Sequence, residues 1–119
     1  MRPYPGAAAG DGDVYVKPAA FRSIFAHDLP RAQTAVMAAG QRPATFGALV
    51  TPATEPAWKT IPSWYLRASA DSLIPPAAQA VMAERAGAWT RSVRSSHVVM
   101  MSHPDLTTDV ILRAVQATR

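Results

Sequence analysis

Eleven prolines in 119 residues decide where this chain can hold regular structure, because each fixes φ, removes a backbone donor and biases the preceding residue away from the helix. Pro43, Pro52, Pro56 and Pro62 fragment the middle of the chain. Residues 43 to 62 are therefore expected to be a loop with at most a short helix, in which Phe46, Leu49 and Val50 cover part of a core. Pro75-Pro76 and Pro104 have a different meaning. Proline is tolerated in the first helical turn, so these mark helix starts.

After Pro62 the sequence reads strand, helix, strand, helix. Ser63 to Ser69 contains Trp64-Tyr65-Leu66 without clear alternation, as expected for a strand buried on both faces of a parallel sheet, with Arg67 as the exception. A helix opened by Pro75-Pro76 is predicted to continue over Ala77 to Ala86, with Ala78, Val81, Met82 and Arg85 on one stripe and Gly87 as its C-terminal cap. The next strand is predicted over Ala88 to Arg94. Ser102-His103-Pro104-Asp105 opens the last helix, with Asp105 favourable to its dipole and Val110, Ile111, Ala114 and Val115 on its apolar face. A strand that returns parallel through a helix brings both strand ends to one edge of the sheet.

The first 20 residues are rich in Gly, Ala, Pro and Asp, with one extended piece at Val14-Tyr15-Val16, and are expected to be poorly ordered. Two short helices follow, from Ala19 to Ala26 and from Arg31 to Ala39, separated by Asp28-Leu29-Pro30 and stopped by Gly40. The expected organisation is a helical and loop segment over residues 1–50 and a strand-helix-strand-helix unit over residues 51–119.

Twelve Lys and Arg against eight Asp and Glu give a net charge of +4, but the basic residues are scattered. Nucleic-acid binding normally needs clustered cations, so no nucleic-acid partner is expected. The chain has no cysteine, which removes disulfides, thiolate metal sites and a cysteine nucleophile. The first residues lack the apolar segment of a secretory signal, and no apolar run reaches the roughly 18 residues of a membrane span, so a cytoplasmic protein without membrane contact is expected. His27, His97 and His103 have no acidic partners at metal-binding spacing. Neither a metal nor a cofactor is expected.

Asp71 and His97 stand just past the two predicted strands. An aspartate bonded to one imidazole nitrogen fixes the tautomer and leaves the other nitrogen to take a proton from a hydroxyl. Asp71 alone could equally be a turn or capping residue, and His97 an ordinary loop histidine. His103, beside Pro104, reads as a helix-start residue. Met82, Met100 and Met101 could line an apolar pocket but are expected to fill core gaps, and Trp58 and Trp64 are expected to pack internally rather than shape a substrate site.

The stretch Pro56-Ala57-Trp58-Lys59-Thr60-Ile61-Pro62-Ser63-Trp64-Tyr65-Leu66, followed by Ala70-Asp71-Ser72-Leu73-Ile74-Pro75-Pro76, resembles the C-terminal part of α/β-hydrolase fold enzymes. The likeness continues through Met82-Ala83-Glu84-Arg85-Ala86-Gly87-Ala88 and Ser95-Ser96-His97-Val98-Val99-Met100-Met101-Ser102-His103-Pro104. It is strongest to the small serine esterase-like branch. The resemblance implies an α/β fold: two parallel strands with flanking helices, preceded by a helical lid remnant. It also assigns the acid to Asp71 and the base to His97, in relatives that hydrolyse esters or similar acyl compounds.

Such enzymes place their nucleophile in an earlier Gly-x-Ser-x-Gly elbow, with the oxyanion-hole amides also earlier. No such motif occurs here, and Ser63, Ser69, Ser72, Ser92, Ser95, Ser96 and Ser102 all lack the glycine-flanked turn. The expectation is a truncated member, inactive alone, whose ester or acyl substrate requires a complementing segment. The alternative is a non-catalytic interaction module, because two strands expose edges that invite pairing with a second copy or with a separate N-terminal half.

Overall fold

The computed structural model describes all 119 residues. In chain order the elements are β1 (Asp13–Val14), α1 (Pro18–Phe25), α2 (Arg31–Ala39), β2 (Ala44–Thr45), α3 (Phe46–Val50), a 3-10 turn (Ala57–Lys59), β3 (Trp64–Ala68), α4 (Pro76–Arg85), β4 (Trp89–Val93), α5 (Val99–Ser102) and α6 (Pro104–Ala117). The proline marks hold. Pro75 is the N-cap of α4 and Pro76 its first residue, and Pro104 opens α6 with Asp105 in its first turn.

Strands β3 and β4 run parallel, with Trp64 opposite Trp89 through to Ala68 opposite Val93. Helix α4 connects them. It closes at Gly87, whose φ of 58° is a left-handed conformation open to glycine. There the Gly87 amide donates to the Glu84 carbonyl at 2.9 Å and the Ala88 amide to the Ala83 carbonyl at 3.0 Å, the paired closure that satisfies a helix's last carbonyls.

The buried face of α4 differs from the expected stripe. Gln79 and Ala83 point inward, while Val81 and Met82 are exposed. The backbone of β3 supplies the reason. Ser63 accepts from the Trp89 amide and Ser69 donates to the Val93 carbonyl, so in a parallel ladder the alternate residues Trp64, Leu66 and Ala68 turn their backbone groups to the outer edge. At Ala68 the Gln79 side chain takes both of them, accepting from the amide at 3.0 Å and donating to the carbonyl at 3.3 Å. A buried strand end needs these bonds, and only the Gln79 face of the helix provides them.

The amino-terminal half is a mixed layer. Strands β1 and β2 pair antiparallel, and Arg2 and Asp13 exchange backbone bonds of 2.8 and 2.7 Å. The Asp11 carboxylate accepts from the Gly47 amide, the Tyr4 hydroxyl and the Gly12 amide. These donors hold its carboxyl below the ordinary value, and the same contact pushes the Tyr4 hydroxyl up. The main apolar cluster joins Phe21, Ala26 and Leu29 to Val98, which follows β4. One core therefore ties the two halves together.

That core is small. Thirteen of 119 residues are buried and the surface is 8324 Å², against about 6,200 Å² for a compact monomer of this mass. In β3 only Ala68 is fully buried, so the expected burial on both faces is not met. Phe46, Leu49 and Val50, expected to cover a core, are exposed, as are Met82, Met100, Met101, Ile111 and Val115. A two-stranded sheet offers too little area to cover the apolar faces packed around it. No helix is long and apolar enough to cross a membrane.

Candidate acid and base at the strand ends

The chain leaves β3 through a tight turn in which the Asp71 amide donates to the Ala68 carbonyl at 3.3 Å. One carboxylate oxygen of Asp71, Oδ1, accepts from the amides of Leu73 at 2.8 Å and Ile74 at 3.1 Å. The other, Oδ2, accepts from Gln79 Nε2 at 3.0 Å and lies 2.9 Å from His97 Nδ1. Asp71 is thus both the local turn residue and the partner of the histidine. The backbone bonds to Oδ1 fix the carboxylate and aim Oδ2 at the ring.

Burial separates the two side chains. That of Asp71 is 3% exposed and that of His97 is 26% exposed, so the carboxylate is enclosed while the ring reaches solvent. A carboxylate only accepts, so Nδ1 carries the proton toward Asp71. The Nε2 atom makes no hydrogen bond within the chain and is left as a free acceptor. Trp64, Tyr65, Leu66, Gln79, Asp71 and His97 line part of a cavity of about 310 Å³. In its wall the Tyr65 hydroxyl is pushed up by burial and then by the Asp71 charge.

The loop after α1 meets this site from the other half of the molecule. The Phe25 and His97 rings are 4.6 Å apart at an angle of 52°. His27 Nε2 donates to the Ala70 carbonyl at 2.8 Å, and Asp28 Oδ2 accepts from the Ser96 amide at 2.8 Å and the Ser95 hydroxyl at 3.1 Å. Burial acts to raise the Asp28 carboxyl, but the donors of Ser96, then Ser102 and Ser95, outweigh it and hold the group well below the usual carboxylate range. An apolar cleft of about 690 Å³ beside this loop is walled by Phe21, Phe25, Met37 and Leu73.

Trp64, expected to pack internally, instead lines the cavity beside the pair, whereas the other histidines, Trp58 and Met82 lie apart from it. His103 is the residue before α6, with Nε2 donating to the Arg94 carbonyl at 3.3 Å, and His27 serves Ala70. The three histidines thus engage three different partners. Trp58 packs under the Arg85 guanidinium, 5.3 Å from its ring centre, and with Trp64 and Met82 lines a separate cleft of about 630 Å³. Sequence reasoning missed Gln79, His27 and Asp28. A lone amide on an alanine-rich helix was the available signal for Gln79, whereas Asp28 reads from sequence as a helix breaker.

Comparison with curated proteins gives no match. A family model described as the Alpha/beta hydrolase family matches residues 1–110, which takes in β3, α4, β4 and both members of the Asp71–His97 pair. With that match over nearly its whole length, the chain belongs to the alpha/beta hydrolase family.

Proposed function

We propose that this chain carries the acid and base of a Ser-His-Asp hydrolase site for esters or similar acyl compounds, and that the serine and oxyanion donors come from a segment outside these 119 residues. The observation that carries the reading is the contact between His97 Nδ1 and the buried Asp71 carboxylate at 2.9 Å, with Nε2 free. In such a site Nε2 takes the proton of the attacking hydroxyl as oxygen bonds to the acyl carbon, and returns it to the leaving alcohol as that C–O bond breaks. Water then repeats the sequence on the acyl-enzyme. Asp71 stays ionised and steadies the imidazolium. On this reading, α1 and α2 are a lid remnant set above the carboxyl ends of the strands.

Members of a triad act as a unit, and oxyanion donors supply much of the rest. The chain alone is therefore expected to leave p-nitrophenyl acetate unhydrolysed. Adding a polypeptide with a Gly-x-Ser-x-Gly elbow from the same family is expected to restore turnover that His97→Ala abolishes. Robust turnover by the chain alone, lost in His97→Ala, would sink the proposal.

A second reading is a non-catalytic interaction module, which pairs with a second copy or an N-terminal half through the edge of β3. It is supported by the unpaired outer backbone groups of Trp64 and Leu66 and by the surface excess over a compact monomer. Sedimentation as a strict monomer at high concentration, with no complex on adding an N-terminal half, argues against it.

A further inference from the structure

The loop after α1 inserts two consecutive polar side chains between the segments that follow β3 and β4. His27 binds the carbonyl of Ala70, the residue before the acid, at 2.8 Å. Asp28 binds Ser95 and Ser96, the two residues before the base, at 3.1 and 2.8 Å. The two segments also touch directly, the Ala70 amide donating to the Ser95 carbonyl at 3.1 Å. Ser95 and Ser96 are among the most buried residues of the chain. The loop itself is anchored by Ala26 and Leu29, both in the main apolar cluster with Val98, the residue after the base.

We infer that His27 and Asp28 are positioning residues that set the distance between Asp71 and His97. The inference rests on the acid-base reading of that pair, but its mechanics concern the pair's geometry alone. Asp71 and His97 lie 26 residues apart on two separate segments, and a hydrogen bond weakens steeply when distance or angle drifts. Local turn bonds fix Asp71 to its own segment. They do nothing to hold His97 opposite it. A bridge from one rigid loop to both segments removes that relative freedom, and its anchors sit one residue from each member of the pair.

The alternative is that these bonds merely stabilise the fold. Melting temperature cannot separate the two, but the His97 Nδ1 proton can, since its solvent exchange reports the bond to Asp71. The experiment compares the imidazole resonances and Nδ1–H exchange of His97 in the full chain with those in His27→Phe, which fills the space without donating, and in Asp28→Ala. Ser95→Ala removes a single hydroxyl of the bridge and gives a readable variant should Asp28→Ala fail to fold. Exchange of the His97 proton several-fold faster in His27→Phe and in whichever of Asp28→Ala and Ser95→Ala folds is the expected result. Unchanged exchange in folded variants overturns the inference. The readout needs no turnover, so loss of the proton signal together with failed complementation would reject the hydrolase reading while leaving the positioning role intact.

Discussion

Gln79 Nε2 lies 3.0 Å from the same Asp71 oxygen that faces His97. The same side chain also closes the outer edge of β3 at Ala68 and donates to the Ile74 carbonyl at 2.8 Å. One amide on α4 thus holds the strand end, the turn and the Asp71 carboxylate in one arrangement.

Replacing Gln79 with Leu keeps the volume but strips partners from the Ala68 amide, the Ala68 carbonyl and the Ile74 carbonyl. Buried polar groups left unpaired cost roughly 1–3 kcal/mol each, with water able to reach some of them, so a net loss of about 3 kcal/mol is expected in urea unfolding. Gln79→Glu sets a second carboxylate against Asp71, which raises the pKa of the introduced acid in the fold. A raised folded pKa contributes stability at low pH that is lost as pH rises. The Glu variant should therefore lie nearest the wild type in acid and fall away toward neutrality, and a constant gap across that range would count against the contact.

Asp28 gives the opposite sign. Its folded carboxyl is held below its ordinary value of 3.8, so the ionised form contributes stability above that value, and the contribution is lost as pH falls through the folded pKa. Wild type should exceed Asp28→Asn in stability at neutral pH by on the order of 1 kcal/mol, kept small by solvent screening at an exposed residue. The gap should narrow below about pH 4. Urea midpoints measured from neutral to acid pH decide it.

The parts of this architecture legible in the sequence are those set by local backbone chemistry. Pro75-Pro76, Gly87 and Pro104 mark helix ends because their dihedral limits act within a few residues. Asp71 and His97 are legible because strand ends gather chemistry and the family pattern falls on them. Gln79, His27 and Asp28 are not, since their partners lie across the fold. His27 reaches a carbonyl 43 residues away, and no periodicity records that. Met82, Met100 and Met101 mislead for a related reason. Apolar character says which side chains seek burial, and whether anything covers them is a property of the whole assembly.

Gly87 offers a test of the local part. A Cβ built there meets nothing within 4 Å, but φ is 58°, so the penalty for Ala is one of backbone conformation alone. Gly87→Ala is expected to cost about 1 kcal/mol, which lowers the melting temperature by roughly 5 °C in a domain of this size. Gly87→Asn should cost less, because Asn tolerates the left-handed region. Equal losses in the two variants would point to sterics.

The open edge of β3 makes the last prediction. Trp64 and Leu66 turn backbone N–H and C=O groups away from β4, while Gln79 occupies the corresponding groups of Ala68. On β3, strand addition is therefore confined to the Trp64–Leu66 stretch, and with apolar surface uncovered the chain is expected to associate as its concentration rises. Proline at position 66 removes only an outward donor and suits an edge strand. Leu66→Pro is expected to shift sedimentation toward the monomer while retaining a cooperative melt. If association is undiminished in that variant, the outer edge of β4 or another exposed surface, such as Ile111 and Leu112 on α6, carries it, and the β3 edge is not the contact.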